Sequence, residues 1–429
     1  MERRTFVKSL AAGIAAIPFL PELSAAVSEQ LHSLAADFQA AGTDRGRWQR
    51  VRQEFLLNPG LVHLNCGSIG ATPRLVIDAL SAHLRQFEGD PVNYAFGAAE
   101  DVGARAAAFL GAAREEIAVT RNTTEGMNNV ATGLQLKSGD EILTTSHEHG
   151  GGMLCWQYLA RRAGVRMAYI DMPAPVHSAD QILQLLEDHL TPRTRVCSFS
   201  HVETITGLVM PLARIAALTR PKDILLVCDG AQAPGMLDVD VKALGVDTYA
   251  SSSHKWILAP KGSGLLYVRK EIQDRVQPLF AYSGYGQAAY SASGGTQSVA
   301  TILGHGLAME FHNALGRPQV EARCRQLSDY LRQRLLRIPG LRLLTPSQPE
   351  LSSGIVTFAL EKGKNSEIAD RLFRERDIRV KVVPPTYAYI PPSEAKPRDY
   401  NALRFSTHIF NSEDELDRLG DILGEMLKS

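Results

Sequence analysis

Ser251-Ser252-Ser253-His254-Lys255-Trp256 leads out of the strand-like run Thr248–Ser252 and into Pro260-Lys261-Gly262-Ser263-Gly264. A lysine just past a strand is usually only solvated. Held in an apolar pocket, the same side chain loses charge stabilisation and becomes a nucleophilic amine able to attack a carbonyl carbon. Ser252 and His254 are donors suited to a phosphate, and Gly262 and Gly264 permit a tight turn into the next strand. What else the chain brings to this place decides between the two readings.

Working outward, short apolar runs alternate with helical patterns from about residue 75 to 310. The predicted strands are Ile117–Thr120, Glu141–Thr145, Arg166–Asp171, Val196–Ser200, Ile224–Asp229, Thr248–Ser252 and Gly264–Val268. Several are solidly apolar, as in a sheet covered on both faces. A helix is predicted over Ser178–Leu190, with Ile182, Leu183, Leu185, Leu186 and Leu190 at core spacing. Strand–helix alternation of this kind predicts an α/β fold with a mostly parallel sheet.

The remainder reads as a smaller α+β domain formed by residues 45–74 and 311–429, beside a large domain over 75–310. It has a helix over Val320–Leu336 and strands at Leu341–Leu344, Gly354–Leu360 and Ile378–Val383. A last helix opens at Ser412, with Glu415 completing a capping box. Pro384–Arg398 holds five prolines and reads as an ordered loop.

The chain has 429 residues, enough for two such domains, and Lys plus Arg equals Asp plus Glu at 46 each. That balance gives no reason to expect nucleic acid or an anionic membrane as partner. The five cysteines are scattered without a CxxC pair, against a disulfide framework or zinc ribbon. Residues 1–26 read as an export signal. Arg3-Arg4 with Phe6 and Lys8 resembles the twin-arginine motif, Ser9 to Leu20 is apolar but too short for a stable span, and Ser24-Ala25-Ala26 suits cleavage. A short amphipathic helix is the other reading. The twin-arginine translocase would deliver the protein, already folded, to the periplasm.

Three more clusters fall at the carboxyl ends of predicted strands, the edge where open parallel sheets bind ligands. Arg121-Asn122-Thr123-Thr124-Glu125-Gly126 opens a helix, so its free N–H groups and hydroxyls suit a phosphate, or merely cap the helix. Val227-Cys228-Asp229-Gly230-Ala231-Gln232 ends an apolar strand on a carboxylate. A buried carboxylate needs a partner, and a protonated pyridine nitrogen is one; a turn-forming Asp is the alternative. In Ser146-His147-Glu148-His149, the His149 ring is suited to lie flat over an aromatic cofactor. The competing reading is a metal site with His147, but no HExxH occurs and a third ligand would come from afar, such as His201.

Taken together these clusters resemble the class V aminotransferase family of fold-type I pyridoxal-phosphate (PLP) enzymes, over nearly all of the chain after the signal. The isopenicillin N epimerase-like branch is the most similar. The resemblance rests on Thr123-Thr124, Glu148-His149, Ser200-His201-Val202-Glu203-Thr204-Ile205-Thr206-Gly207 with Pro211, Asp229-Gly230-Ala231-Gln232, Ser252-Ser253-His254-Lys255 and Leu403-Arg404-Phe405-Ser406-Thr407-His408. It implies a large PLP-binding domain, Lys255 as the lysine that holds the cofactor's aldehyde, Asp229 on the pyridine nitrogen and His149 on the ring face. It implies Thr204 and Gln232 near the ring O3′, and Thr123, Thr124, Ser252 and His254 around the phosphate. In a homodimer, Thr296 of Gly295-Thr296 would reach the neighbouring subunit's phosphate. Arg404 would bind a substrate carboxylate; a structural ion pair is its other reading. The expected substrate is an amino acid or an amino-acid residue of a peptide, undergoing transamination, epimerisation or related chemistry. Similarity to periplasmic pyoverdine-tailoring PLP enzymes adds a peptide siderophore to the expected substrates. A cysteine desulfurase-like lyase, which would need a cysteine in the C-terminal loop, and a non-catalytic binding protein that keeps the fold are the alternatives; no cysteine follows Cys324.

Overall fold

The structure, a computed structural model, describes residues 21–41, 43–91, 98–277, 297–390 and 395–428. Its centre is a seven-stranded sheet in the order Ile117–Thr120, Gly264–Val268, Thr248–Ser252, Leu225–Asp229, Thr194–Ser200, Glu141–Thr145, Arg166–Ile170. Gly264–Val268 runs antiparallel to both neighbours, and the other pairings are parallel. All seven predicted strands are present, within two residues of their predicted ends.

The apolar runs are continuous because helices cover both faces. One face meets Met127, Val130 and Ala131 of the helix Thr123–Gly133 and Trp156 of the helix Gly150–Ala163. The other meets the larger core, with Leu212, Ile215, Val299, Leu303 and Phe311. The helix Pro21–Ala40 adds Leu31, Leu34 and Phe38 to that core.

The tail forms a second, four-stranded antiparallel sheet in the order Lys381–Val382, Ala402–Ser406, Ile355–Leu360, Leu341–Leu343. One face packs Leu403, Phe405, Val356 and Phe358 against Leu327 and Leu331 of the helix Arg317–Leu335 and Leu416 and Leu419 of the helix Glu413–Lys428. The Ser412 capping box forms, with both reciprocal bonds to Glu415 present.

One prediction is corrected. Ile378–Val383 is not one strand. Ile378–Arg379 pairs in parallel with Val62–His63, while Lys381–Val382 pairs antiparallel with Ala402–Ser406. The chain changes partner at Val380, so a run that reads as one strand serves two sheets.

Candidate active site

Four loops meet at the carboxyl edge of the central sheet. The register aligns Ser200 with Asp229, and Ser252 with Gly264, which in turn pairs with Thr120. The segments after Thr120, Thr145, Asp229 and Ser252 therefore emerge on one side.

Lys255 follows Ser252 in a turn and is half-buried. No described residue bonds its Nζ. Burial pulls its pKa down to about 8; Asp229 opposes that shift and Arg404 adds to it. Asp229 is 5% exposed, and one carboxylate oxygen accepts the Ala231 N–H at 2.9 Å. Burial raises its pKa despite that bond and the Lys255 charge. Its other oxygen faces Gly152 and has no hydrogen-bond donor among the described residues. This leaves a buried acceptor open to a cationic N–H.

His149 caps the helix Gly150–Ala163, its Nδ1 accepting the Gly151 N–H at 3.0 Å. That bond fixes the neutral tautomer with the proton on Nε2. Burial of the ring's surroundings, then the charges of Lys255, Arg404 and Lys381, bring its pKa to about 4. The ring itself is exposed to the cleft.

The three glycines after His149 answer to close approach. A Cβ at Gly151 would lie 2.6 Å from Thr124 Oγ1, one at Gly150 would lie 2.9 Å from the Tyr389 ring, and one at Gly152 would collide with Asp229.

Thr123 is buried, and the Ser252 hydroxyl meets both its N–H at 3.0 Å and its Oγ1 at 2.9 Å. Thr124 is exposed, and its N–H, in the first turn of the helix, has no acceptor among the described residues. His254 donates from Nδ1 to the Ser263 carbonyl at 3.2 Å, so Nε2 can donate only from the protonated ring. Burial and the Lys255 charge oppose that protonation, and a phosphate dianion would favour it. Thr296 lies outside the described residues.

Arg404 is 2% exposed. Its Nη1 donates to Thr204 Oγ1 at 2.5 Å and to the Thr204 carbonyl at 3.1 Å. Its Nη2 makes two long bonds of 3.3 Å, to Asn65 and Ser68, and its Nε has no partner among the described residues. No carboxylate pairs with it among the described residues, and burial lowers its pKa to about 10. A structural ion pair therefore does not account for it. Gln232 Nε2 donates to the Gly67 carbonyl at 2.8 Å, and its Oε1 accepts from Trp256 Nε1 at 2.7 Å. It ties the Asn65–Ser68 turn to the segment that carries Lys255.

Two of the three histidines of the metal reading are engaged elsewhere. His147 is fully buried and donates to Glu203 at 2.7 Å, while His201 lies 2.9 Å from the Tyr249 hydroxyl. Among the described residues no group of three His, Cys, Asp or Glu side chains stands at metal-holding spacing. Asn65, Ser68, Lys381, Tyr389 and Tyr400 were not singled out from sequence. Each reaches the site through the tertiary fold, and only Gly67 within a short polar turn hints at the first two.

The free Lys255 amine, the open Asp229 oxygen, the exposed His149 face and the Thr124 donors fit PLP.

A family model, Aminotransferase class-V, matches residues 70–419. The isopenicillin N epimerase of Amycolatopsis lactamdurans is 33% identical over 405 residues, covering 89% of this chain and 99% of the relative. The apo structure of cysteine desulfurase from Thermococcus onnurineus NA1 superposes with a TM-score of 0.77 at 22% identity, covering 89% of this chain and 98% of that one. The complex of the cystine C-S lyase C-DES with cysteine persulfide gives 0.76 at 25% identity, covering 86% and 98%.

Proposed function

The chain belongs to the class-V aminotransferase family of pyridoxal-phosphate enzymes, and from that premise we propose that it acts on the α-carbon or side chain of an amino acid, free or at the end of a peptide. The observation that carries this is the pairing, in one cleft, of an unbonded low-pKa lysine with a buried arginine that has no carboxylate.

Lys255 would hold the cofactor's aldehyde carbon, Asp229 its ring nitrogen, His149 its face, and Thr124, Ser252 and His254 its phosphate. When bound, the cofactor supplies an electron-withdrawing ring that stabilises negative charge at the substrate carbon. The chain's residues do the rest. Asp229 opposes loss of the ring-nitrogen proton. Lys255, when neutral, would be a base at Nζ able to take the α-proton. Arg404 fixes the substrate carboxylate as a bidentate fork, and that orientation selects which bond at the α-carbon stands ready to break. Thr204, bonded to Arg404 through its hydroxyl oxygen, keeps its own proton free to donate toward the ring O3′.

Epimerisation or transamination is favoured over the desulfurase-like alternative by the thiols. All five cysteines are buried, and burial pushes Cys155 and Cys324 up to about 12, where little thiolate forms near neutrality. A non-catalytic binding role is disfavoured because both Lys255 and Asp229 are kept in reactive surroundings.

Export by the twin-arginine translocase to the periplasm rests on Arg3-Arg4-Thr5-Phe6-Val7-Lys8, and a homodimer with Thr296 at the partner's phosphate rests on the family resemblance. Both stretches fall outside the described residues. Among the described residues no helix is long and apolar enough to cross a membrane. A peptide siderophore of the pyoverdine kind is the substrate we propose for an exported member of this family. The test is incubation of the purified protein with amino acids and amino-terminated peptides, following the visible spectrum and the products. A protein without a visible cofactor band, or one inert to every amine, overturns the reading.

A further inference from the structure

Lys381 stands directly opposite Arg404 in the antiparallel pair of Lys381–Val382 with Ala402–Ser406, and Thr357 stands opposite Arg404 on its other side. Side chains directly opposite one another share a face, with Cβ atoms about 5 Å apart. The face can be identified. Val380 and Val382 belong to the apolar core of the small domain, so Lys381, between them, projects the other way. Thr357 bonds the Ile205 carbonyl at 2.8 Å and Arg404 bonds Thr204, so this row looks onto the Thr204–Ile205 loop and the cleft. Lys381 is close enough that its charge lowers the pKa of both His149 and Lys255.

Two like charges directly opposite one another destabilise a sheet unless an anion lies between or beside them. Here none does. Glu148 is held by Ser200 and Thr145, Glu203 by His147 and Thr206, and one Asp229 oxygen accepts the Ala231 N–H. Neither Lys381 nor Arg404 forms an ion pair among the described residues. Arg404 has its unbonded Nε and its loosely held Nη2 left to meet one carboxylate. Lys381 is exposed to the cleft, a compact point charge on a flexible stem.

We propose that Lys381 is a specificity-determining residue that binds a second carboxylate, at the distal end of the substrate, so that the preferred substrate is an acidic amino acid or a peptide segment carrying two anionic groups. This rests on the reading of the cleft as a PLP site with Arg404 on the α-carboxylate. Folding leaves the Lys381–Arg404 repulsion in place, and a doubly anionic substrate relieves it.

The experiment titrates the holoprotein with L-aspartate, L-glutamate and L-2-aminoadipate, and with their uncharged counterparts L-asparagine, L-glutamine and L-norleucine. Half-saturation is read from the cofactor absorbance. At least one acidic member is expected to bind about tenfold or more tightly than its uncharged counterpart, as a charge-assisted contact implies. Lys381→Gln should reduce that ratio to near one, and Lys381→Arg should keep most of it. No acidic preference in any pair overturns the proposal. So does an equal loss for acidic and uncharged members in Lys381→Gln, which would make Lys381 an accessory to the single carboxylate at Arg404. The cofactor band itself, and its borohydride reduction onto Lys255, test the underlying reading separately in the same preparation.

Discussion

Lys255 titrates near 8 in the cofactor-free protein, and that value has a measurable consequence. At pH 7 about one Lys255 in ten is neutral, against about one in three thousand for a lysine of pKa 10.5. The fold thus enriches the nucleophilic amine about 300-fold without chemical change, chiefly by desolvating it. Trace acetylation of the apoprotein from pH 6 to 11, with mass-spectrometric readout at Lys255 and a free lysine peptide in the same tube, reports the titration. The shape of the profile matters, because burial also limits access of the reagent. Lys255 should level off above about pH 8 to 9, while the peptide continues to rise toward its ordinary value near 10.4. The neighbours give the signs. The Asp229 carboxylate favours the ammonium, so Asp229→Asn should move the inflection down; Arg404 disfavours it, so Arg404→Ala should move it up. An inflection at 10 or higher, or a rise in Asp229→Asn, refutes the argument.

Asp229→Asn is expected to retain PLP but turn over on the order of a hundredfold more slowly, since a neutral amide no longer holds the ring proton; near-wild-type turnover would refute the role. Arg404→Ala should raise KM for a free amino acid by about a hundredfold while sparing cofactor binding, with Arg404→Lys recovering little. An unchanged KM discards the carboxylate role. Gly151→Ala, whose new methyl would sit 2.6 Å from Thr124 Oγ1, should weaken PLP retention about tenfold on dialysis. Equal retention would show that Thr124 does not hold the phosphate. Replacing Arg3 and Arg4 by lysine should leave folded protein in the cytoplasm, as read by fractionation, and unchanged delivery would mean that the motif is misread.

What was legible in the sequence divides along a physical line. The seven strands of the large sheet were readable because burial on both faces removes polar alternation, leaving runs such as Leu225–Cys228 bounded by turn residues. Asp229 ends such a run, and Lys255 and His149 follow one within four residues, so the sequence offered all three as candidates at the carboxyl edge of the sheet. The split at Val380 was not, because a strand's own sequence does not say which neighbour pairs with each half. Asn65 and Ser68 were missed because their meeting with Arg404 spans more than 330 residues and leaves no local period. The same holds for the path from Glu203 through His147 to the Tyr400 hydroxyl at 3.2 Å, which fastens the C-terminal loop to the turn bearing His149.

The charges that the fold leaves unanswered define what it is built to receive. Asp229 is raised by burial, and Arg404, Lys255 and Lys381 are all lowered by it. Each shift has the sign of a charge deprived of water, so each charged form costs stability in the empty protein near neutral pH. On the proposed reading, a cationic ring nitrogen at Asp229 and carboxylates at Arg404 and Lys381 would oppose those shifts one by one. Ligand binding and folding are then linked. A ligand that binds only the native state stabilises it by RT ln(1 + [L]/Kd), about 2.7 kcal/mol at a hundredfold excess over Kd. On the proposed reading, cofactor and substrate would therefore be parts of the electrostatic balance of this fold, meeting the buried charges of Asp229, Lys255 and Arg404 that it leaves without a partner of opposite charge at bonding distance among the described residues.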